Sequence, residues 1–210
     1  STHGGISVGK DGASHHANED LAMMRTLPNM EIYVPSDPQS AYATIHHVYD
    51  SPHPAYVRLF RDSVEYLYDP EEPFDPSHSH VLREGDDVTI FTCGYSTHDA
   101  LKAAGILEGD GISAQVINAA SVKPLDTGFI KDLNLTNTPY YVLEEQALAG
   151  GLGSAISEYC VQNSLKLPEH IFAVPDAFIT HGARGDLLVE CGLDAHTIAE
   201  QILRMREAIA

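Results

Sequence analysis

The chain has 210 residues, 43% of them apolar, and its 12 Lys and Arg against 30 Asp and Glu give a formal net charge of −18. The apolar content is sufficient for a packed core, which excludes a disordered chain, and the acidic field repels nucleic acids and anionic membranes. No apolar run of about 20 residues and no leader segment is visible. We therefore expect a cytoplasmic protein whose partners include neither nucleic acid nor a membrane.

The first seventy residues contain two strand patterns and one clear helix pattern. NMEIYVPSD predicts a strand that leads into a helix over AYATIHHVYD, with Asp37 as the N-cap and Pro38 at the first helical position. AYVRLFR predicts the next strand. Because two strands do not make a parallel sheet covered on both faces, we expect that further strands lie upstream of Ser1.

The segment YDPEEPFDPSHSH interrupts this pattern with three prolines and four acidic residues. It predicts a linker at 71–80 between a first domain over 1–70 and a second domain over 81–210. The SHSH histidines are too few for a strong metal site by themselves, so a solvated linker is the better interpretation.

Strands and helices alternate in the second half of the chain. The predicted strands are DVTIFTCG, SAQVINAA, PYYVLEE and HIFAVPD. The predicted helices are STHDALKAAGILEGDG, capped by Ser96 or Thr97, then PLDTGFIKDL, GGLGSAISEYCVQN and DAHTIAEQILRMREAIA, the last with Ile198, Ile202, Met205 and Ile209 on one stripe. This alternation predicts an α/β fold in which both domains have mainly parallel sheets, the first of them truncated.

Several residues that attract attention have structural explanations. Cys93, Cys160 and Cys191 are odd in number and lie among apolar residues, which favours reduced core thiols over disulfides or zinc. GGLGS lacks the third glycine of a dinucleotide-binding loop and is better explained as a tight turn between strand and helix. His46 and His47 lie in the middle of a helix and are expected to pack or to face solvent.

The opening stretch HGGISVGKDGASHHANED combines three histidines, Lys10 and three acidic residues with a glycine-rich backbone. Histidine exchanges protons near neutral pH, so the stretch predicts a loop that handles protons or binds a polar ligand. His16 is expected to point away from His15 and to be a surface or supporting residue.

Taken in order, THGGISVGKDGASHHANEDLAMMRTLPNMEIYVPSD, VRLFRD, SVKPLD, EEQALAGGLGSAISE and VPDAFITHGARGDLL resemble transketolases, in particular split forms whose smaller subunit joins a pyrimidine-binding domain to the C-terminal domain. The resemblance covers all 210 residues. It implies the transfer of a two-carbon ketol unit between phosphosugars on thiamine diphosphate, whose chemistry is that of the cofactor.

The resemblance also assigns individual residues. The family pattern H-x7-D-G-x-T-H is met by His3, Asp11, Gly12, Ser14 and His15, with Ser14 in place of the threonine. It implies that His3 and His15 are catalytic and bind substrate, and that Asp11 accepts a sugar hydroxyl. The phosphate-binding arginine falls on Arg61, with Arg58 as the second choice, because a guanidinium can bind two phosphate oxygens.

Other implications concern what lies outside the chain. The glutamate and aromatic residues that contact the aminopyrimidine precede the H-x7-D loop in the family, and another domain holds the diphosphate and its Mg²⁺. We therefore expect no cofactor or metal on this chain alone, no activity of the isolated chain, a separate diphosphate-binding partner and a homodimer. Three alternatives stay open: 1-deoxyxylulose-5-phosphate synthase, the beta subunit of a 2-oxo-acid dehydrogenase, and an assembly domain without catalysis.

Overall fold

The computed structural model describes the backbone of residues 1–209 and the side chains of residues 1–208. The predicted apolar stripe of the last helix is confirmed for Ile198 and Ile202, which are buried, and Met205 packs against the same core. The side chain of Ile209 lies outside the described residues. No helix in the described part of the chain is long and apolar enough to cross a membrane.

The first seventy residues form few regular elements. They are a 3-10 turn at Gly9–Asp11, α1 at Asp20–Arg25, β1 at Glu31–Tyr33, α2 at Pro38–Asp50 and β2 at Ala55–Val57. The predicted start of α2 is confirmed: the Asp37 side chain accepts from the Ser40 N–H, and Pro38 follows it in the first turn. The second strand is shorter than predicted and ends before Arg58.

The remaining residues form a larger layer of alternating elements. These are β3 at Ser79–Arg83, β4 at Val88–Thr92, α3 at Ser96–Gly109, β5 at Ala114–Ala119, β6 at Ser121–Lys123, α4 at Thr127–Thr136, β7 at Tyr140–Ala147, α5 at Leu152–Asn163, β8 at His170–Val174, α6 at Arg184–Cys191 and α7 at Ala195–Ile209. The four predicted strands are β4, β5, β7 and β8, and all of them are present. The helix α6 was not predicted, and Tyr95 takes the N-cap position of α3 instead of Ser96 or Thr97.

The large sheet has the strand order β3-β5-β4-β7-β8, and all its neighbours are parallel except β3, which pairs antiparallel with β5. β3 begins at Ser79, inside the predicted linker. The linker therefore ends earlier than expected, because its last residues gain a strand partner that a local pattern does not show.

A small sheet has the order β2-β1-β6. β1 is parallel to β2, whereas β6 is antiparallel to β1, with Ile32 opposite Lys123 and Tyr33 opposite Ser121. The second half of the chain thus supplies a strand to the sheet of the first half.

Two apolar clusters cover the two faces of the large sheet. One contains α3, α6 and α7 side chains together with Ile6, and the other contains α4 and α5 side chains together with Leu21 and Ile32. Side chains of the first seventy residues therefore belong to both cores, which fixes the opening loop against the large sheet. Cys93 and Cys160 are buried and free, and Cys191 is free and half-buried, as expected for core thiols.

Candidate functional site

The candidate site lies where the carboxyl ends of the parallel strands β4, β7 and β8 meet one edge of the large sheet. In parallel sheets the loops that follow the strands converge at this edge, and ligands bind there. Here the convergence brings together Tyr95 after β4, Glu145 near the end of β7 and the segment 179–184 after β8. The opening loop packs onto the same edge through Ile6, which is fully buried.

Glycines allow the opening loop to approach this edge closely. Gly5 has a φ of 63°, and a Cβ at this position would lie 2.6 Å from the Glu145 side chain. Gly9 has a φ of 52°, and a Cβ there would lie 2.7 Å from the Gly182 carbonyl oxygen. Side-chain-bearing residues rarely adopt this backbone conformation, so both positions require glycine for conformation and for space.

An open cleft of about 330 Å³ separates the opening loop from the segment that follows β2. Its lining consists of residues 7–11, 61–62 and 182–184. Arg61 donates from Nη1 to the Asp11 carboxylate at 2.8 Å, and the two side chains remain 54% and 43% exposed. The structure therefore brings two of the predicted substrate-binding residues together in a cleft that solvent reaches.

The two predicted catalytic histidines lie on the same loop and do not contact this ion pair. The Nδ1 atom of His3 lies 2.9 Å from the Thr2 hydroxyl, and that of His15 lies 3.0 Å from the Ser14 hydroxyl. His3 is half-buried and His15 is exposed. Their roles therefore stay predictions.

Arg58 is built into the protein interior, unlike Arg61. Its side chain is 5% exposed, its Nε donates to Asp20 at 3.1 Å, and its Nη2 donates to the Glu145 carbonyl and the Gln146 side chain at 3.1 and 3.2 Å. These contacts occupy the guanidinium with internal acceptors. Arg58 is thus bound to internal acceptors whereas Arg61 is exposed, and the phosphate-binding roles of Arg61 and, as the second choice, of Arg58 stay predictions.

His16 was expected to be either a surface residue or a supporting residue, and the structure excludes the surface position. Its side chain is buried, and Nε2 lies 3.3 Å from the Gly9 carbonyl oxygen. Its Nδ1 atom has no hydrogen-bond partner among the described residues. His16 thus contacts the loop from beneath, because the turn at residues 12–16 directs its ring inward.

The sequence reasoning missed a buried ion cluster under the cleft. Glu145 accepts from the Ile6 N–H through Oε1 at 2.8 Å and from the Arg184 Nε through Oε2 at 3.0 Å. Arg184 also donates to Asp99 at 2.6 Å and lies 3.5 Å from the centre of the Tyr95 ring. Burial lowers the pKa of Arg184, but the two carboxylates outweigh burial and hold that pKa above its ordinary value.

The Tyr95 ring continues this cluster towards Arg61. It stacks on Phe60 with the ring centres 4.6 Å apart, and its hydroxyl donates to Asp62 at 3.3 Å. Phe60 and Asp62 are the chain neighbours of Arg61. The only sequence features that correspond to this ion cluster are the acidic pair at the end of PYYVLEE and the isolated arginine of GARGD. Neither feature indicates that the two segments meet in the fold.

Glu144, the neighbour of Glu145, holds the start of α5. It is fully buried and accepts from the N–H groups of Leu152 and Gly153 at 2.6 and 3.0 Å. Burial raises its pKa from 4.5 to about 7, although these two N–H groups favour the charged form. A Cβ at Gly151 would lie 2.0 Å from the Glu144 carboxylate, so GGLGS is a close-packing turn, as predicted.

The cleft and the space next to it do not by themselves fit thiamine diphosphate. The cleft is polar and open, and the neighbouring space beside the Phe60 and Tyr95 rings measures only about 10 Å³. The described residues also contain no group of three or more His, Cys, Asp or Glu side chains placed to hold a metal ion. The cleft has groups suited to hydroxyls and phosphates rather than to an aminopyrimidine ring.

Comparison with known proteins identifies the family of the chain. Residues 77–198 match the family described as transketolase, C-terminal domain, and residues 1–65 match the transketolase pyrimidine binding domain. A putative transketolase C-terminal section from Methanocaldococcus jannaschii is 36% identical over 204 residues, which cover 96% of this chain and 64% of the relative. The chain thus spans less than two thirds of that relative.

Two further relatives indicate the range of the family. A 1-deoxy-D-xylulose-5-phosphate synthase from Chlorobium luteolum is 35% identical over 198 residues, which cover 93% of this chain and 31% of the relative. A solved structure described as a split gene transketolase, inactive beta4 tetramer, is 35% identical with a TM-score of 0.85 and covers 98% of this chain and 65% of that chain. Members of this family use thiamine diphosphate with a divalent metal. The chain described here belongs to the transketolase family.

Proposed function

We propose that this chain supplies the sugar-binding side of a thiamine diphosphate-dependent transketolase that moves a two-carbon ketol unit between phosphosugars. The observation that carries the proposal is the Asp11–Arg61 pair in the open cleft, in which Asp11 lies on the same loop as His3 and His15 and Arg61 lies on the facing segment after β2. Asp11 accepts a sugar hydroxyl and Arg61 binds the terminal phosphate through a charge-assisted fork. His3 and His15 bind the sugar and move protons at its oxygens.

The cofactor supplies the carbanion chemistry of this reaction when it is bound. We propose that its diphosphate and Mg²⁺ are held by a separate domain or subunit, so the isolated chain is inactive and the complete enzyme is a dimer. Split relatives support a separate partner. Calorimetric titration of the isolated chain with thiamine diphosphate and Mg²⁺ is expected to show no micromolar binding, and such binding would contradict the proposal.

Arg61→Ala in the complete enzyme tests the role of the cleft. The Michaelis constant for a phosphorylated ketose is expected to rise about tenfold to a hundredfold, as for the loss of a hydrogen bond to a charged group. A ketose without phosphate should be nearly unaffected. Arg83→Ala is the matched control, because Arg83 pairs with Glu108 at 3.1 Å outside the cleft. Equal losses for both ketoses would instead indicate a packing role for Arg61.

1-Deoxyxylulose-5-phosphate synthase is the second candidate function, because the chain is 35% identical to such an enzyme. It would use the same cleft for a phosphorylated acceptor but would take a 2-oxo acid as donor. The complete enzyme should therefore be assayed with a ketose phosphate and with pyruvate as alternative donors. Release of carbon dioxide from pyruvate, without transfer from the ketose, would favour the synthase and overturn the transketolase proposal.

A further inference from the structure

We infer that Glu145 and Arg184 are positioning residues for the site. Through one buried ion cluster they hold both walls of the cleft: the loop that carries His3 and Asp11, and the segment that carries Arg61. The catalytic consequence of this inference rests on the proposed function, whereas the attachment itself does not.

The first wall is attached through Ile6. The Ile6 N–H donates to Oε1 of Glu145 at 2.8 Å, and the Ile6 side chain is fully buried in the core of the large sheet. Ile6 lies three residues after His3 and five before Asp11, so it is the fixed point from which both positions are set. Hydrogen bonds to charged groups are about twice as strong as neutral ones, which makes this amide a firm attachment.

The second wall is attached through aromatic rings. The Arg184 guanidinium lies 3.5 Å from the centre of the Tyr95 ring, and a cation over a desolvated ring is a favourable contact. Tyr95 in turn stacks on Phe60 and donates to Asp62. The neighbours of Arg61 on both sides are thereby held, while its own side chain stays exposed to a ligand.

The two attachments depend on each other because they share one set of charges. Oε2 of Glu145 accepts from Nε and Nη2 of Arg184, and Nη2 also donates to Asp99. The side chains of Glu145 and Asp99 are only 5% and 6% exposed, and that of Arg184 is 11% exposed. Removal of one partner leaves a buried charge uncompensated, which strongly destabilises such a cluster. Either change should therefore loosen both walls.

Amide hydrogen exchange of the full chain tests the attachment without any assay of catalysis. Arg184→Gln frees the Glu145 carboxylate from its cation, and Glu145→Gln replaces the charged acceptor of the Ile6 N–H by a neutral amide oxygen. Both variants should accelerate exchange of the residue 5–8 amides about tenfold to a hundredfold, the size expected when a charge-assisted hydrogen bond is weakened or displaced. Exchange in β4 and β5 should stay slow. The control is Arg206→Gln, because Arg206 also pairs with an acid, Asp87, but at the opposite edge of the sheet.

The outcomes separate the inference from the function on which it rests. Unchanged exchange at residues 5–8, or equal acceleration throughout the large sheet, would overturn the inference, since the cluster would then support the whole fold. If one variant does not fold, the other still provides the measurement, because Glu145→Gln preserves side-chain size and Arg184→Gln removes the guanidinium but keeps a polar side chain.

Kinetics of the complete enzyme provide the second readout. For Arg184→Gln we expect kcat/KM for the phosphosugar to fall at least tenfold and cofactor affinity to stay unchanged, and Arg184→Lys should restore part of the loss because it keeps the charge. Accelerated exchange with unaltered kcat/KM would uphold the attachment but overturn the assignment of His3 and Asp11 to the reaction. If Arg184→Gln instead lowered the cofactor affinity and left kcat/KM for the phosphosugar unchanged, the inference that the ion cluster positions the two walls of the cleft would be overturned.

Discussion

Gly5→Ala is the most direct perturbation of the opening loop. The new methyl group would have to occupy space 2.6 Å from the Glu145 side chain and 2.7 Å from its carbonyl oxygen, on a backbone with a φ of 63°. The left-handed conformation costs a residue other than glycine roughly 1–2 kcal/mol. Displacement of Glu145 from the Ile6 N–H removes a charged hydrogen bond of about 1.5–3 kcal/mol. The expected loss of unfolding free energy is the sum, about 2.5–5 kcal/mol.

The assay is urea unfolding of the full chain, followed by circular dichroism, with Gly105→Ala as the matched control. Gly105 lies in α3, and a Cβ there would meet no atom within 4 Å. Alanine is favoured over glycine inside a helix by about 1 kcal/mol, so this control should stabilise the protein. A Gly5→Ala protein as stable as the wild type, with slow exchange of the Ile6 amide, would refute the argument that the loop is held tightly against Glu145.

Three further changes test the interior on which the site rests. Because the folded pKa of Glu144 is about 7 against 4.5 unfolded, its contribution to stability is full below pH 4.5 and is lost as the pH rises through about 7. The wild type should lose about 3 kcal/mol relative to Glu144→Gln over that range in urea unfolding, at 1.36 kcal/mol per pKa unit, and a constant difference would contradict this. Arg58→Met should destabilise the chain by about 3–5 kcal/mol because it leaves the charge of Asp20 uncompensated in the interior, with the Tyr56 hydroxyl as its remaining donor, whereas Arg61→Met should cost at most about 1 kcal/mol in thermal unfolding. Equal costs would show that burial does not distinguish the two arginines. Asp37→Ala removes the acceptor of three backbone N–H groups and should lower the urea midpoint by the equivalent of at least about 2 kcal/mol, and a loss below about 0.5 kcal/mol would show that water replaces it.

The parallel strands were predictable because their information is local. β4 has an unbroken buried run, and glycine or acidic turns mark its ends in the sequence. The start of α2 was predictable for the same reason, since Asp37, Pro38 and Ser40 form the cap within four residues. β3 and β6 were missed because they are short and partly polar, and each exists only through an antiparallel neighbour distant in the chain.

The site shows the same division between local and distant information. The spacing of His3, Asp11 and His15 is a local pattern, and the resemblance to a family identified it. Arg58 and Arg61 are three residues apart, and no property of the sequence distinguishes an arginine that enters the core from one that remains exposed. Glu145 and Arg184 are 39 positions apart and meet only because β7 and β8 are parallel neighbours.

The charge of the protein constrains how the cleft would recognise a phosphosugar, the proposed substrate. With a formal net charge of −18, the long-range field repels a phosphate dianion, so attraction must come from contacts within the cleft. Arg61 already donates one N–H to Asp11, which partly neutralises the guanidinium and leaves its other donors for a ligand. Inorganic phosphate carries its acceptors and its acidic P–OH on one small group, whereas a sugar phosphate offers a separate hydroxyl to the Asp11 carboxylate while its phosphate binds the guanidinium. The Asp11 carboxylate and the Arg61 guanidinium together therefore favour a ligand that carries both a hydroxyl and a phosphate over a ligand that carries only one of them. This selectivity arises from contacts in the cleft rather than from the long-range field of the molecule.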